Sequence, residues 1–388
     1  MSAIGLYAVR SRLFKSKVEA YVHASSHNIP TSEIKYHFCD EAWKAAIKQF
    51  TYNPNISLNV YYVNRAKQLR DRFDYLILYF SGGADSTTIL DTFLKNNIKL
   101  DEVFVKWPKN VKYIPDNINK TPFNMVSEWD YSIKPKLDRL RETHPEIKIV
   151  VGDWTDNLHN ININHSLLEV QNHNFGLPNF GQSEMVSPSS HDLEGKGVKV
   201  GHIFGIDKPN IVYDSVDNVY SMLFTELPFM ALFQHAFGTA DLDNRINFYY
   251  AVDYPEIHLA RCYAVASTLD RFPRIRSLID VRLRLNEEEK QRAKFKFDDI
   301  CNAVCYPDWD RNTFQVDKPS NTNKFFNPWY FYIYQAEEFK TKLVTLTSTL
   351  NDVGTDIRDD LKSVDSIGNV VGLRYATTNL MNLKRLAL

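Results

Sequence analysis

Between residues 75 and 206 the chain alternates short apolar runs with stretches of helical spacing. The runs at 75–80, 101–107, 147–152 and 198–206 are rich in Val, Ile, Leu, Phe and Tyr and read as buried strands. After the first run, Thr87, Ile89, Leu90 and Phe93 begin a helical pattern, and residues 124–143 predict a second helix kinked at Pro135. Strands alternating with helices predict an α/β fold, a doubly wound parallel sheet of Rossmann-like type over residues 71–215. Residues 1–70 carry helical spacing at 15–23 and 40–50, punctuated by Pro30 and Pro54, and predict an N-terminal helical extension. From 216 to 388, apolar residues recur at helical spacing in 218–238, 257–269, 285–297 and 337–350, which predicts a mainly helical C-terminal domain.

The junction between the first strand and its helix carries the densest chemistry: Ser81, Gly82, Gly83, Ala84, Asp85 and Ser86. The glycines let the backbone turn sharply and approach a ligand. Amide groups of the turn and the helix N-terminus would face an anion, with Ser81 and Ser86 adding hydroxyl donors. An ordinary strand-to-helix turn also uses Gly-Gly and an early Ser or Asp; the whole string in its strand, turn and helix context favours nucleotide binding. No Gly-Lys-Ser/Thr follows, so the loop is not a Walker A motif. A ligand of such a sheet sits at the carboxyl ends of the strands, where Trp107 and Asp153 also fall. The fourth run leads through Gly205 to Asp207, Lys208 and Pro209, which read either as a charged pair meeting the phosphate site or as a surface turn locked by proline.

The string at 81–86 resembles the SGGxDS signature of the PP-loop ATP pyrophosphatases (adenine nucleotide alpha hydrolase-like). This superfamily includes asparagine, GMP, NAD and argininosuccinate synthetases, tRNA thiolation and lysidine enzymes, and 7-cyano-7-deazaguanine synthase. The resemblance covers about residues 70–215 and implies a HUP-type sheet that holds ATP with its pyrophosphate in the loop. It implies Asp85 as a ligand of Mg2+, and Lys208, beside Asp207, as the cation that neutralises departing pyrophosphate. A substrate oxygen would attack the α-phosphorus, and an amine or ammonia would then displace AMP. A nucleobase and a small carboxylate both suit the acceptor role.

Absences narrow the branch. Glutamine-using asparagine synthetase places a catalytic Cys after Met1, where this chain has Ser2. Thiolation enzymes often carry paired cysteines, and the close pair here is Cys301 with Cys305. Sulfonucleotide reductases, which share the loop, use a Cys near the C-terminus, and no Cys follows Cys305. An adenylating ligase leads, with a sulfonucleotide reductase-like enzyme and a non-catalytic nucleotide-binding module as alternatives.

Composition adds boundaries. With 388 residues, 44% of them hydrophobic, the chain can bury a sizeable core. Its 46 basic and 47 acidic residues nearly cancel, which leaves a nucleic-acid or membrane partner without support from net charge. No uninterrupted run of about 18 apolar residues occurs, so a soluble cytoplasmic protein is expected. The four cysteines are too few and scattered for a disulfide scaffold, and none completes a zinc set. The polar stretch 157–197, with His165 and His173, reads as a substrate-covering or disordered segment. Asp253 and Glu256 lie among aromatics and read as pocket lining or a helix-flanking loop. The aromatic stretch 323–334 reads as core or interface packing, which keeps a homo-oligomer open.

Overall fold

The computed structural model describes residues 6–14, 20, 23–24, 26–30, 33–106, 129–152, 186–206, 208–224, 244–309 and 379–384. At the start, β1 (Leu6–Val9), β2 (Arg12–Phe14) and β3 (Ile34–His37) form an antiparallel sheet in the order β2-β1-β3. Two helices follow, α1 (Asp40–Gln49) and α2 (Leu58–Arg72), the second capped by the Ser57 side chain. The helix expected at 40–50 is present as α1 and most of the stretch 15–23 lies outside the described residues, but the region is not wholly helical, since three strands precede α1. Its strands are only three or four residues long, too short for alternation to stand out, and Arg10 makes the β1-β2 turn at φ 54° without a glycine.

The chain then builds a mostly alternating series. It runs through β4 (Tyr75–Tyr79), α3 (Ala84–Lys95), β5 (Glu102–Lys106), α4 (Lys134–Thr143), β6 (Lys148–Gly152), α5 (Pro188–Glu194) and β7 (Val200–Phe204). A single π-helical turn, Trp129–Ile133, leads into α4. Pro135 sits in the first turn of α4, directly after that π-helical turn, so the helical path changes type beside the proline. After β7 come the antiparallel strands β8 (Ile211–Asp214) and β9 (Val219–Met222), then β10 (Arg245–Asn247). The chain continues with α6 (Glu256–Asp270), α7 (Glu287–Cys305) and β11 (Met381–Asn382), which pairs with β9.

Five strands form one parallel sheet in the order β10-β7-β4-β5-β6. From β4 the chain winds outward to β5 and β6 with α3 and α4 on one face. There Leu76, Leu78, Val103, Val105 and Ile203 share a core with Ile89, Phe93, Leu137 and Leu140. Reaching β7 means passing back across β4, and a right-handed crossover in that direction must run over the opposite face. Leu193 of α5 lies on that face, against a core of Ile77, Tyr79, Phe104, Val200 and Phe204. The winding reverses between β4 and β7, and ligands of open α/β sheets bind at such a reversal.

Beyond residue 215 the expected helical domain is only partly helical. The fifth strand of the parallel sheet, β10, lies there, and β9 occupies the start of the stretch read as helical at 218–238. Pairing with β8 decides the conformation of Val219, Tyr220, Ser221 and Met222, a tertiary influence that outweighs local spacing. The helices expected at 257–269 and 285–297 are present as α6 and α7, and α6 packs against both α2 and α7. The stretches 323–334 and 337–350 lie outside the described residues. Among the described residues no helix is long and apolar enough to cross a membrane.

Candidate functional site

Residues 80–83 carry the chain from the end of β4 to the start of α3. Gly82 takes φ +73°, and a Cβ there would sit 2.9 Å from both Ser132 Oγ and Ile133 Cγ1, so glycine is required twice over. The Ser86 hydroxyl lies 3.2 Å from Ser81 N, which donates to it, and 3.2 Å from Ser81 Oγ. Ser81 Oγ in turn accepts from Gly83 N at 3.4 Å. The two serine hydroxyls thus hold the turn closed around the N-terminus of α3, whose first amides have no intrahelical acceptor. Gly205, just past β7, completes this face. A Cβ on it would meet Asp85 C and Ser86 N at 3.1 Å, so the chain after β7 runs directly against the first turn of α3.

One side of the loop is held by the C-terminal helices. The Tyr306 hydroxyl donates to Asp85 Oδ1 and accepts from Arg261 Nη2. Arg261 Nη2 lies 3.9 Å from the same carboxylate oxygen, and Tyr249 donates its hydroxyl to the Asp85 main-chain carbonyl at 2.8 Å. The Arg261 side chain is fully buried, with its guanidinium carbon 4.0 Å from the Tyr249 ring centroid and 5.4 Å from that of Tyr306. Burial, followed by the nearby Asp85 charge for Tyr249, pushes the Tyr249 and Tyr306 phenols well up, so both remain protonated donors.

The other side is held by the entry to α4. The Gly82 carbonyl accepts from Ser132 Oγ at 2.8 Å, Thr87 Oγ1 at 3.2 Å and Lys136 Nζ at 3.3 Å. Lys136 Nζ also reaches Thr87 Oγ1 and Ser132 Oγ, each at 3.1 Å.

Of the residues expected from the sequence, those of the loop and Lys208 are among the described ones. Ser81 is exposed, Gly83 and Asp85 are half-buried, and Gly82, Ala84 and Ser86 are buried. Lys208 follows β7, and its main-chain carbonyl accepts the Tyr250 hydroxyl. Its charge reaches the Cys301 and Cys305 thiols, and Cys305 in turn adjoins Arg261. Asp207, Trp107 and Asp153, like His165 and His173, lie outside the described residues. Asp253 forms ion pairs with Arg65 at 3.1 Å and Arg72 at 3.2 Å, so its carboxylate ties the start of α6 to α2.

Cys301 and Cys305 are fully buried on α7, and burial pushes both thiols up, away from the thiolate that a nucleophile needs. Sequence reasoning passed over Arg261, Tyr306, Ser132 and Lys136, and took Tyr249 only as part of the aromatic stretch 249–256 around Asp253 and Glu256. Arg261 carries a signal in retrospect, as a charged residue inside the mostly apolar α6 run Ile257, His258, Leu259, Ala260, Cys262, Tyr263.

Among the described residues no group of three or more His, Cys, Asp or Glu could hold a metal ion. Asp85 is a single carboxylate with an arginine 3.9 Å away, which opposes a resident divalent cation. Mg2+ that arrives with substrate phosphates would keep phosphate and water in most of its positions, and Asp85 is the one carboxylate of the loop that could add a protein ligand to it.

Fold and loop together define an α/β protein with a parallel five-stranded sheet and a glycine turn at its switch point. Comparison of the chain with family models, curated proteins and solved structures returns no match.

Proposed function

We propose that this chain is an ATP-using enzyme that adenylates an acceptor oxygen. The reading rests on one observation: the string 81–86 turns from β4 into α3 at the switch point, with Gly82 at φ +73° and the N-terminus of α3 at its rim. In this reading the loop amides hold the β- and γ-phosphates of Mg·ATP. The acceptor oxygen attacks the α-phosphorus, the bond from Pα to the bridging oxygen breaks, and pyrophosphate leaves with its electron pair. Lys208, next to Asp207 in the chain, stabilises the charge that develops there; Mg2+ bound with the substrate phosphates, with Asp85 as its protein ligand, would add further positive charge. An amine or ammonia then forms the new bond to the acceptor, and AMP departs. A nucleobase carbonyl or a small carboxylate supplies the required oxygen.

One observation favours the second reading, a nucleotide-binding module without turnover. Asp85 is already bonded to Tyr306 and neighboured by Arg261, which weakens it as a Mg2+ ligand. Exchange of labelled pyrophosphate into ATP, measured with pools of nucleobases and of carboxylic acids, separates the two. Acceptor-dependent exchange is expected for the enzyme; ATP binding with no exchange in any pool selects the module, and no ATP binding overturns both.

A further inference from the structure

Lys136 is an ammonium without a carboxylate partner. Its donors go to Gly82 O, Thr87 Oγ1 and Ser132 Oγ, all neutral, and no carboxylate lies within salt-bridge distance of it among the described residues. The acidic charge that reaches it comes from Asp91, further along α3, and burial outweighs that influence, pushing the amine down. A partly buried cation without a counter-ion is costly unless an anion compensates it. The side chain sits directly behind the turn that faces the proposed phosphates.

The geometry of the peptide supplies the second observation. Three donors hold the Gly82 carbonyl toward α4 and the first turn of α3. In a trans peptide the next N–H points away from that carbonyl, so the Gly83 N–H is turned to the opposite side. There it meets Ser81 Oγ at 3.4 Å, on the rim formed by the two serine hydroxyls. A Cβ at Gly82 would meet Ser132 and Ile133, so the entry to α4 packs closely on this side of the turn.

We propose that Lys136 is the positioning residue and electrostatic counter-charge of the loop: through the Gly82 carbonyl it aims the Gly83 N–H at a bound phosphate, whose negative charge its ammonium compensates. The inference rests on the phosphate-binding reading of residues 81–86 and adds the residue on which anion affinity depends. A ligand without a multiply charged phosphate would gain little from it.

Calorimetric titration with inorganic pyrophosphate tests this in wild type, Lys136→Met, Lys136→Arg and Ser132→Ala, with urea unfolding of each ligand-free protein alongside. Lys136→Met should bind about tenfold more weakly or worse while the ligand-free protein unfolds at an equal or higher urea concentration. Lys136→Arg should recover most of the affinity, and Ser132→Ala should show a smaller loss. If Lys136→Met does not fold, Lys136→Gln makes the same measurement, since it keeps a donor for the Gly82 carbonyl and removes the charge. Wild type that binds pyrophosphate while the Met or Gln variant binds it equally well overturns the role of Lys136 alone. Wild type that binds none overturns the phosphate-binding reading itself.

Discussion

Tyr306 donates its hydroxyl to the carboxylate of Asp85 across 221 positions of sequence. This bond ties the residue after α7 to the first turn of α3, and Arg261 donates to the same phenol oxygen. The loop that would hold phosphate is therefore braced by a part of the chain far from the motif.

Replacing Tyr306 with Phe should cost about 1.5–3 kcal/mol of stability, the usual range for a buried hydrogen bond to a charged group. Urea unfolding of the variant checks it. A midpoint equal to that of wild type would mean that Asp85 does not depend on the bond.

Gly205→Ala should both destabilise the protein, by about 1–3 kcal/mol, and weaken ATP binding. Its new methyl would press on Asp85 C and Ser86 N at 3.1 Å, and main-chain atoms cannot rotate aside. Equilibrium dialysis with ATP, run beside thermal unfolding, reads both effects; normal binding would show that the first turn of α3 tolerates displacement.

Asp85→Asn should abolish pyrophosphate release from ATP while the far-ultraviolet circular dichroism stays that of wild type. Lys208→Ala should slow release much more than Lys67→Ala, a change on α2 away from the loop. Equal, small effects of the two lysine changes would return Asp207, Lys208 and Pro209 to the role of a surface turn.

Stability should fall as pH drops below about 6.5, the ordinary histidine value. His258 is fully buried among Trp43, Phe224 and Tyr250, and desolvation pushes its pKa well down; His202 is also lowered, chiefly by burial. The unfolded chain therefore takes up these protons first, so the stability is fully present above the unfolded value and is lost below it. Each such group contributes a slope of about 1.4 kcal/mol per pH unit. Urea midpoints between pH 7.5 and pH 5 test the sign, and His258→Leu should flatten the decline.

The parallel sheet was largely legible. The runs that became β4, β5 and β7 are buried on both faces, which leaves continuous apolar segments that survive without any tertiary information; β6, at the edge of the sheet, is only half-buried but keeps the apolar run Ile149, Val150, Val151. The loop string was legible for a related reason: Gly82 answers to a positive φ that few other residues adopt, and outside the string Gly205 answers to the close approach of its chain to α3. Short strands were not legible. β1, β2, β9 and β10 have three or four residues each, and their conformation depends on partners distant in sequence, such as His202 opposite Arg245.

By itself, then, the sequence determined the winding β-α-β unit and the residues of the turn, since both follow from local apolar runs and local backbone freedom. Only the tertiary structure decided what surrounds the turn. Lys136 and Ser132 meet the Gly82 carbonyl, and Arg261 and Tyr306 meet Asp85, because packing α4, α6 and α7 against the sheet brings them there. Nothing local marks one lysine or tyrosine among many for such a contact, and its electrostatic weight arises from burial, a property that exists only once the chain has folded.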